Sequence, residues 1–332
     1  MKAVVLAAGK GARLDPLTQS AAKPMMSIAN RPVMQHIIER LHGEGFREIF
    51  VNLHYRPDDM ISYFGNGSAW NVSITWRTEA QLTGSAGGIM AFADLLEGEG
   101  SILVVSGDAL HDIDLRALMD FHANRGALLS VAMKRVQNPG RYGVGSIDKD
   151  KRIIRFEEKP LISSSEEGLV SCGIYCLSSP LLKSIPRGRV YDFGADLIPE
   201  LAWRNEEVFC FEVESYWRDI GTLTDLRLAN MDAAAGRVHL HIPGEKKKDG
   251  VHIEYGATIG PDVEIVPPVV IGGYSSIERD THLIGPIVVG PHVIVGEGSY
   301  ISSSVLLQRS RVPPRAIIVD GLVGTLTANQ PL

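Results

Sequence analysis

The sequence predicts two architectures in one chain: an α/β domain on a mostly parallel sheet with flanking helices, then a left-handed parallel β-helix. Three observations carry this. Strand-like apolar runs alternate with helical patterns through the first 235 residues. A charged, turn-rich stretch at 243–250 interrupts them. From Ile253 onward an aliphatic residue returns at every sixth position.

The elements follow in order. Residues 2–8 form a continuous apolar run, suited to a strand buried on both faces. The apolar stretch is too short for a leader peptide, and Lys10 and Arg13 follow at once. Residues 32–41 carry Val33, Ile37, Ile38 and Leu41 at helical spacing, with Pro32 at the start. Residues 48–53, 72–75 and 101–105 read as strands, and 88–96 as a helix. A last helix runs from the N-cap Thr222 to Ala235, with Gly236 as its stop signal. These readings give a catalytic domain over 1–236, a solvated linker over 237–251 and a β-helix domain over 252–332.

The repeat is the most specific local pattern. Ile253, Ile259, Ile265, Ile271, Ile277, Leu283, Val289, Val295 and Ile301 are spaced by six. Four residues after each stands a small or β-branched residue, from Ala257 to Val305. Three hexads make one triangular coil, so residues 253–306 give three coils, and 312–319 with Pro313-Pro314 can cap an end. Coil ends expose strand edges, which predicts a homo-oligomer.

Composition excludes several classes. Lys plus Arg is 33 against 39 for Asp plus Glu, a net charge of −6, so binding to nucleic acid by phosphate neutralisation is not expected. Three cysteines in 332 residues give no disulfide scaffold and suit the cytoplasm. Cys172 and Cys176, four apart in a strand, would share one face as buried thiols, and neither they nor the ten histidines show metal spacing. No apolar run reaches the roughly 20 residues of a membrane span.

The loop after the first strand reads Gly9-Lys10-Gly11-Ala12-Arg13-Leu14. Leu14 stands where a dinucleotide fingerprint needs its third glycine, and the Gly-Lys-Ser/Thr of a P-loop is absent. What the loop offers is backbone N–H groups that can approach phosphate, with Arg13 and Lys23 as cations nearby in sequence. Sites in open α/β sheets lie beyond the carboxyl ends of strands, where this loop and Asp108 fall.

Taken together, Leu6-Ala7-Ala8-Gly9-Lys10-Gly11-Ala12-Arg13-Leu14, Pro16-Leu17-Thr18 and Lys23-Pro24-Met25 resemble the signature of sugar-1-phosphate nucleotidylyltransferases. Asn30-Arg31-Pro32, Leu53-His54-Tyr55 and Tyr63-Phe64-Gly65 resemble most the mannose-1-phosphate guanylyltransferase branch. The similarity continues through Gly84-Ser85-Ala86-Gly87, Ser106-Gly107-Asp108, Tyr142-Gly143, Phe156-Glu157-Glu158-Lys159-Pro160, Gly173-Ile174-Tyr175 and Trp217-Arg218-Asp219-Ile220-Gly221-Thr222. A β-helix tail is common in that family, which also implies a Rossmann-like first domain.

The resemblance implies attack of a sugar 1-phosphate on the α-phosphorus of a nucleoside triphosphate, with pyrophosphate leaving. GTP and mannose 1-phosphate are the expected pair. UTP, dTTP or ATP with glucose 1-phosphate, or a cyclitol phosphate, are the alternatives. An anion attacking an anion needs cations and fixed donors. Hence Mg²⁺ is implied, with Asp108 and Asp219 as ligands. Arg13 and Lys23 would be catalytic beside Asp108, Arg13 on the β- and γ-phosphates and Lys23 near the α-phosphorus. Leu6, Ala8, Gly9, Gly11, Arg13, Gln81, Gly84, Ser85 and Gly87 would meet the nucleotide. Gly143, Glu158, Lys159 and Gly173 would meet the sugar phosphate.

Three departures bear on substrate choice: Asp15 where the family carries a basic or aromatic residue, Ser171-Cys172-Gly173 where Asn is usual at the first position, and Gln81 where Glu is frequent in the guanylyl branch. Two readings from other classes remain. One is a regulatory paralogue that binds sugar nucleotide; against it, Arg13, Lys23, Asp108, Lys159 and Asp219 are all present. The other is a β-helix acyltransferase using His252, His282 or His292 as base; against it, three coils are few for an acyl-donor cleft.

Overall fold

The computed structural model describes residues 1–98, 100–161, 166–248 and 250–324. Residues 325–332 of the expected β-helix domain and residue 249 of the expected linker lie outside the described residues. The chain packs as two compact units that cut across sequence order. One comprises Met1–Lys10, Ile37–Ala109 and Ile113–Trp217; the other comprises Gly11–His36, Leu110–Asp112 and Arg218–Leu332. The expected division at residue 236 follows the order of the chain, whereas this packing draws Gly11–His36 together with the C-terminal part.

The first unit is built on a nine-stranded sheet. Its strands are β1 (Lys2–Leu6), β2 (Glu48–Leu53), β3 (Ser73–Thr78), β4 (Ser101–Ser106), β5 (Leu129–Gln137), β6 (Gly143–Ile147), β7 (Ile153–Glu158), β8 (Glu167–Ser178) and β9 (Val208–Glu212). The main order is β7-β6-β8-β4-β1-β2-β3, and β5 joins β8 to β9. The four strands β4-β1-β2-β3 are mutually parallel, and the apolar runs of the central β1 and β4 suit strands buried on both faces. The long β8 then pairs antiparallel with β4, β5 and β6, which makes the whole sheet mixed. One large core cluster, including Val4, Ile102, Val104, Val131 and Phe193, lies against this sheet.

Two expectations in this unit need correction. Residues 88–96 are not one α-helix. A four-residue helix, Gly84–Gly87, runs into a 3-10 segment, Gly88–Phe92, and then a short α-helix, Ala93–Leu96. Three of the five residues 84–88 are glycine, a poor helix former, which favours breaks over a regular helix. The spacing argument for Cys172 and Cys176 assumes a regular strand, but β8 slips register against β5 between Ser171 and Tyr175. Gly173, at φ +70°, sits within that bulge. Both thiols are buried all the same, and burial pushes each well above the usual thiol range; Cys210 is pushed up to about 12.

The second unit holds the β-helix. Parallel strands pair with residues 18 further on: Ile253 with Ile271, and Ile271 with Val289; likewise Ile259, Ile277 and Val295, and Ile265, Leu283 and Ile301. This is the sequence repeat made physical, and its pattern is that of the left-handed β-helix. In the middle of the stack the six-residue aliphatic positions and their i+4 partners face inward: Ser275, Ile277, Thr281 and Leu283 are all at most 1% exposed. Two expected inward positions differ: Ile259 in the first coil is exposed, and Val305 pairs with Val288 and packs outside the stack, because the coil that reaches it is one residue shorter.

After Ser302 the pairing offset becomes 17, so Ile301 meets Ile318 and Val295 meets Val312. One residue fewer in that coil takes the repeat out of phase in the sequence. Residues 312–319, expected as a cap, therefore supply strands Arg311–Val312 and Ile317–Val319 of a fourth coil. The expected linker also contains structure. Strand Glu245–Lys248 pairs antiparallel with Val251–Ile253 and covers that edge with the exposed lysines Lys246 and Lys247.

Helix α1 (Leu223–Ala234) packs on one face of this β-helix through Met231 and Ala234 against Val270, Val288 and Val305. Thr222 caps it as expected: its hydroxyl accepts from the N–H of Asp225 at 3.1 Å. Among the described residues, no helix is long and apolar enough to cross a membrane.

Candidate functional site

The candidate residues fall in both units, and each unit assembles its own share. In the β-helix unit, residues 11–25 form three consecutive 3-10 turns, Ala12–Leu14, Leu17–Gln19 and Lys23–Met25. Leu14 is fully buried and anchors the first, leaving Arg13 exposed. Gly11 takes φ +70°, and a Cβ there would meet the Lys23 Cβ at 2.9 Å. Glycine is thus required twice, for the left-handed turn and for the passage of the lysine stem.

Lys23 is only 7% exposed, and its Nζ lies 3.3 Å from Asp219 Oδ1. Sequence reading nominates these two residues separately, 196 positions apart; the fold sets them side by side. A largely buried ammonium beside a carboxylate forms a compact dipolar pair that can engage a phosphate on one side and a cation on the other. The unusual Asp15 does not stand as a bare charge, because its Oδ1 accepts from the buried Thr18 hydroxyl. Asn30 donates from Nδ2 to the Val289 carbonyl at 3.0 Å, and Arg31 pairs with Glu254 at 3.4 Å. The 27–32 hairpin is thereby tied to the β-helix within this unit.

In the sheet unit, Asp108 follows β4. Ser106 donates to its Oδ1 at 2.6 Å. The intervening Gly107 donates its N–H to the Leu6 carbonyl at 2.8 Å, and a Cβ there would meet that oxygen at 2.9 Å. Leu6 and Ala8 are partly or fully buried and Gly9 is exposed at the carboxyl end of β1.

The proposed sugar-phosphate residues converge in part. Gly143 pairs with Glu158 across β6 and β7, and a Cβ on Gly143 would lie 2.8 Å from Glu158 Oε2. Lys159 sits at φ +48°, exposed, with Nζ 3.1 Å from Glu158 Oε1. Gly173 has its notional Cβ 3.0 Å from Ser106, which places the β8 bulge beside the segment carrying Asp108. Ser171 accepts from the Gly173 N–H at 3.2 Å and donates to the Tyr175 hydroxyl at 3.3 Å. Tyr175 in turn stacks on Phe193 at 3.9 Å.

The Gly84–Gly87 segment differs from a bare donor loop. The N–H groups of Ala86 and Gly87 donate to the Tyr191 carbonyl, and Ser85 donates from both N–H and hydroxyl to Asp192 Oδ1. These donors hold the segment in place, while Gln81 is exposed.

Sequence reading missed Asp192 and a second group, Asn52, Glu79 and Thr83. Asn52 Oδ1 accepts from the Ala7 N–H at 2.9 Å and its Nδ2 donates to Glu79 Oε1 at 2.6 Å. The available signal was an amide inside the apolar run Ile49-Phe50-Val51-Asn52-Leu53, since a buried polar side chain has to be satisfied.

Among the described residues, no cluster of three or more His, Cys, Asp and Glu side chains could hold a metal. Zinc-type sites need such a set. Mg²⁺ does not: it takes one or two carboxylates and completes its shell with water and substrate phosphates. A carboxylate such as that of Asp108 in the one unit, or of Asp219 in the other, is a hard oxygen donor of the kind Mg²⁺ takes. His282 pairs with Glu264 at 2.7 Å and His292 stacks on Tyr274, both at the surface of the β-helix.

The family model described as nucleotidyl transferase matches residues 2–236. A UTP–glucose-1-phosphate uridylyltransferase of Synechocystis sp. is 33% identical over 97% of this chain and 87% of its own length. A mannose-1-phosphate guanylyltransferase of Mycobacterium tuberculosis is 31% identical over 86% of this chain and 79% of its own. Among solved structures, a putative glucose-1-phosphate thymidylyltransferase from Bacillus anthracis superposes with a TM-score of 0.64 at 26% identity, covering 73% of this chain and 97% of that one.

Proposed function

The chain belongs to the nucleotidyl transferase family, its reaction class is nucleotidyl transfer to a sugar 1-phosphate, and within that class we propose GTP and mannose 1-phosphate as the substrates. The observation that carries the assignment of roles is the 3.3 Å pair of Lys23 and Asp219. The cation proposed for phosphate and the carboxylate proposed for the metal lie side by side although they are remote in sequence, which supports giving them roles in one reaction.

Arg13 takes the β- and γ-phosphates that leave as pyrophosphate, and Lys23 offsets charge near the α-phosphorus. Leu6, Ala8, Gly9, Gly11, Gln81, Gly84, Ser85 and Gly87 contact the nucleotide. Lys159 binds the sugar phosphate, Glu158 accepts from sugar hydroxyls, and Gly143 and Gly173 leave room for the ring. Asp108 and Asp219 would be the carboxylates that hold Mg²⁺, which when bound would neutralise phosphate charge and polarise the α-phosphorus. The chain works in the cytoplasm as a homo-oligomer.

The guanylyl–mannose pair rests on the resemblance of Asn30-Arg31-Pro32, Leu53-His54-Tyr55 and Tyr63-Phe64-Gly65 to that branch. Uridylyl transfer to glucose 1-phosphate is the second reading, favoured by the Synechocystis relative. The two sugars differ in one hydroxyl configuration, which a few hydrogen bonds decide. A competition experiment separates the readings: GTP, UTP, dTTP, ATP and CTP are supplied together with mannose, glucose, galactose and N-acetylglucosamine 1-phosphates and Mg²⁺. Mass spectrometry then identifies the nucleotide sugar formed. GDP-mannose as the main product is expected, and UDP-glucose would replace the first reading by the second. Nucleotide binding without any product would instead mark a regulatory paralogue.

A further inference from the structure

One buried side chain bridges the ends of three neighbouring parallel strands. Asn52 on β2 is in register with Leu6 on β1 and with Arg77 on β3, and it is 3% exposed. Its two amide atoms face opposite ways. Oδ1 accepts from Ala7 N–H at 2.9 Å, at the start of the loop that leads to Gly9. Nδ2 donates to Glu79 Oε1 at 2.6 Å, just beyond β3. The partners fix this orientation, because a backbone N–H needs an acceptor and a carboxylate needs a donor.

The connection continues through Glu79. Its other oxygen accepts from the Thr83 N–H at 3.0 Å and from the Thr83 hydroxyl, immediately before the Gly84–Gly87 turn. Gly88 completes the fit, since a Cβ there would collide with Asn52 Nδ2. The two segments that carry the unit's nucleotide candidates, residues 6–9 and 81–87, are therefore joined by one continuous chain of hydrogen bonds: Ala7, Asn52, Glu79, Thr83.

We propose that Asn52 and Glu79 are positioning residues for the nucleoside triphosphate: they fix the spacing between the loop that leads to Gly9 and the Gly84–Gly87 turn. This rests on the nucleotidyl-transfer reading. Hydrogen bonds in such a chain reinforce one another, and a polar group left unpaired in the interior is costly, so breaking one link releases both segments. The effect falls on nucleotide binding, because Gly143, Glu158 and Lys159 lie outside the chain of bonds.

The test is a charge-conserving exchange. Asn52→Asp keeps the acceptor for Ala7 but sets two carboxylates against each other. Glu79→Gln keeps an acceptor for Thr83 but offers Asn52 no carboxylate. The double variant Asn52→Asp/Glu79→Gln restores the link with its direction reversed: Gln donates to Asp while its oxygen accepts from Thr83.

Each single variant is expected to raise the KM for the nucleotide tenfold or more, with the KM for sugar phosphate within twofold of the parent. The double variant is expected to return to within threefold of the parent. Nucleotide affinity measured by calorimetry should follow the same order. Single variants with parental nucleotide KM, or a double variant no better than the worse single, would overturn the proposal. Should the Asp variant fail to fold, Thr83→Val, which removes only the hydroxyl link, must raise the nucleotide KM about threefold, and no change would count against it. A parent protein that binds no nucleoside triphosphate at all would sink the functional reading and this proposal together, whereas an active parent with indifferent variants sinks this proposal alone.

Discussion

The two units solve the problem of holding a functional loop in opposite ways. In the sheet unit the central parallel strands find their partners far away in sequence: β1 lies between β2 and β4, about 45 and 100 residues on. Its candidate residues sit at strand ends and are fixed by individual polar bonds, such as Ser106 to Asp108 and Asn52 to Ala7. In the coils of the β-helix a strand pairs with the one 17 or 18 residues later, and the interior is a stack of like residues. Segments without a core of their own are held from outside by that stack: the 27–32 hairpin through Asn30 and Arg31, and α1 through Met231 and Ala234. The contrast shows that a repeat can serve as a frame for a site whose motif lies more than 200 residues earlier. The loop carrying Arg13 and Lys23 packs in the unit of the β-helix, not in that of the strand from which it emerges.

The comparison is most sharply tested at Lys23. Lys23→Ala should lower kcat by at least a hundredfold, the scale of removing one charge-stabilising donor. Its thermal unfolding should stay within a few degrees of the parent, since the deletion also leaves Asp219 nearer to solvent. A variant with parental kcat would detach the 3-10 loop from the chemistry.

In the frame itself, Leu283→Ala removes a fully buried side chain from the middle of the stack. A loss of about 3 kcal/mol is expected by denaturant titration. If the frame account is right, nucleotide KM rises as well, because the loop of Gly11 and Lys23 loses its support. Loss of stability with unchanged KM would show that the frame and the loop are independent.

A pH titration separates the units differently. His122, in the sheet unit, is buried between the Ser130 and Ser178 hydroxyls, and desolvation lowers its pKa from 6.5 to about 4. The folded form keeps it neutral, whereas the unfolded chain protonates below pH 6.5. Its contribution is thus complete above that value and is lost as pH falls from 6.5 towards 4, by at most about 3 kcal/mol. His122→Gln should flatten this part of the stability curve. An unchanged slope would point to other groups. The smallest effect is expected at Thr222→Ala, about 1 kcal/mol for the lost cap of α1, read as a shift in denaturation midpoint.

The legibility of the sequence follows the same division. The hexad positions could be read because each must fill an identical interior site, so the pattern survives without knowledge of any partner. It fades after Ile301 because one coil is a residue shorter, which makes the fourth coil read as a cap. The strand–helix alternation was legible from apolar runs, but the antiparallel insertion of β8 was not, since pairing direction leaves no mark on hydrophobicity. Among site residues, motif resemblance could nominate Lys23 and Asp219, whereas Asn52 and Asp192 act by holding backbone N–H groups. Their roles appear only when the distant segments meet. The strand at Glu245–Lys248 escaped notice because its lysines serve an edge and therefore look like a solvated linker.

The most direct measurement is the rate of pyrophosphate release by the parent protein and by Asp108→Asn, with Mg²⁺, saturating nucleoside triphosphate and sugar 1-phosphate. The account predicts sugar-phosphate-dependent release by the parent and a loss of at least a thousandfold in the variant, with its melting temperature unchanged. Release by Asp108→Asn at the parental rate, or none by the parent with any nucleotide and sugar-phosphate pair, would contradict it.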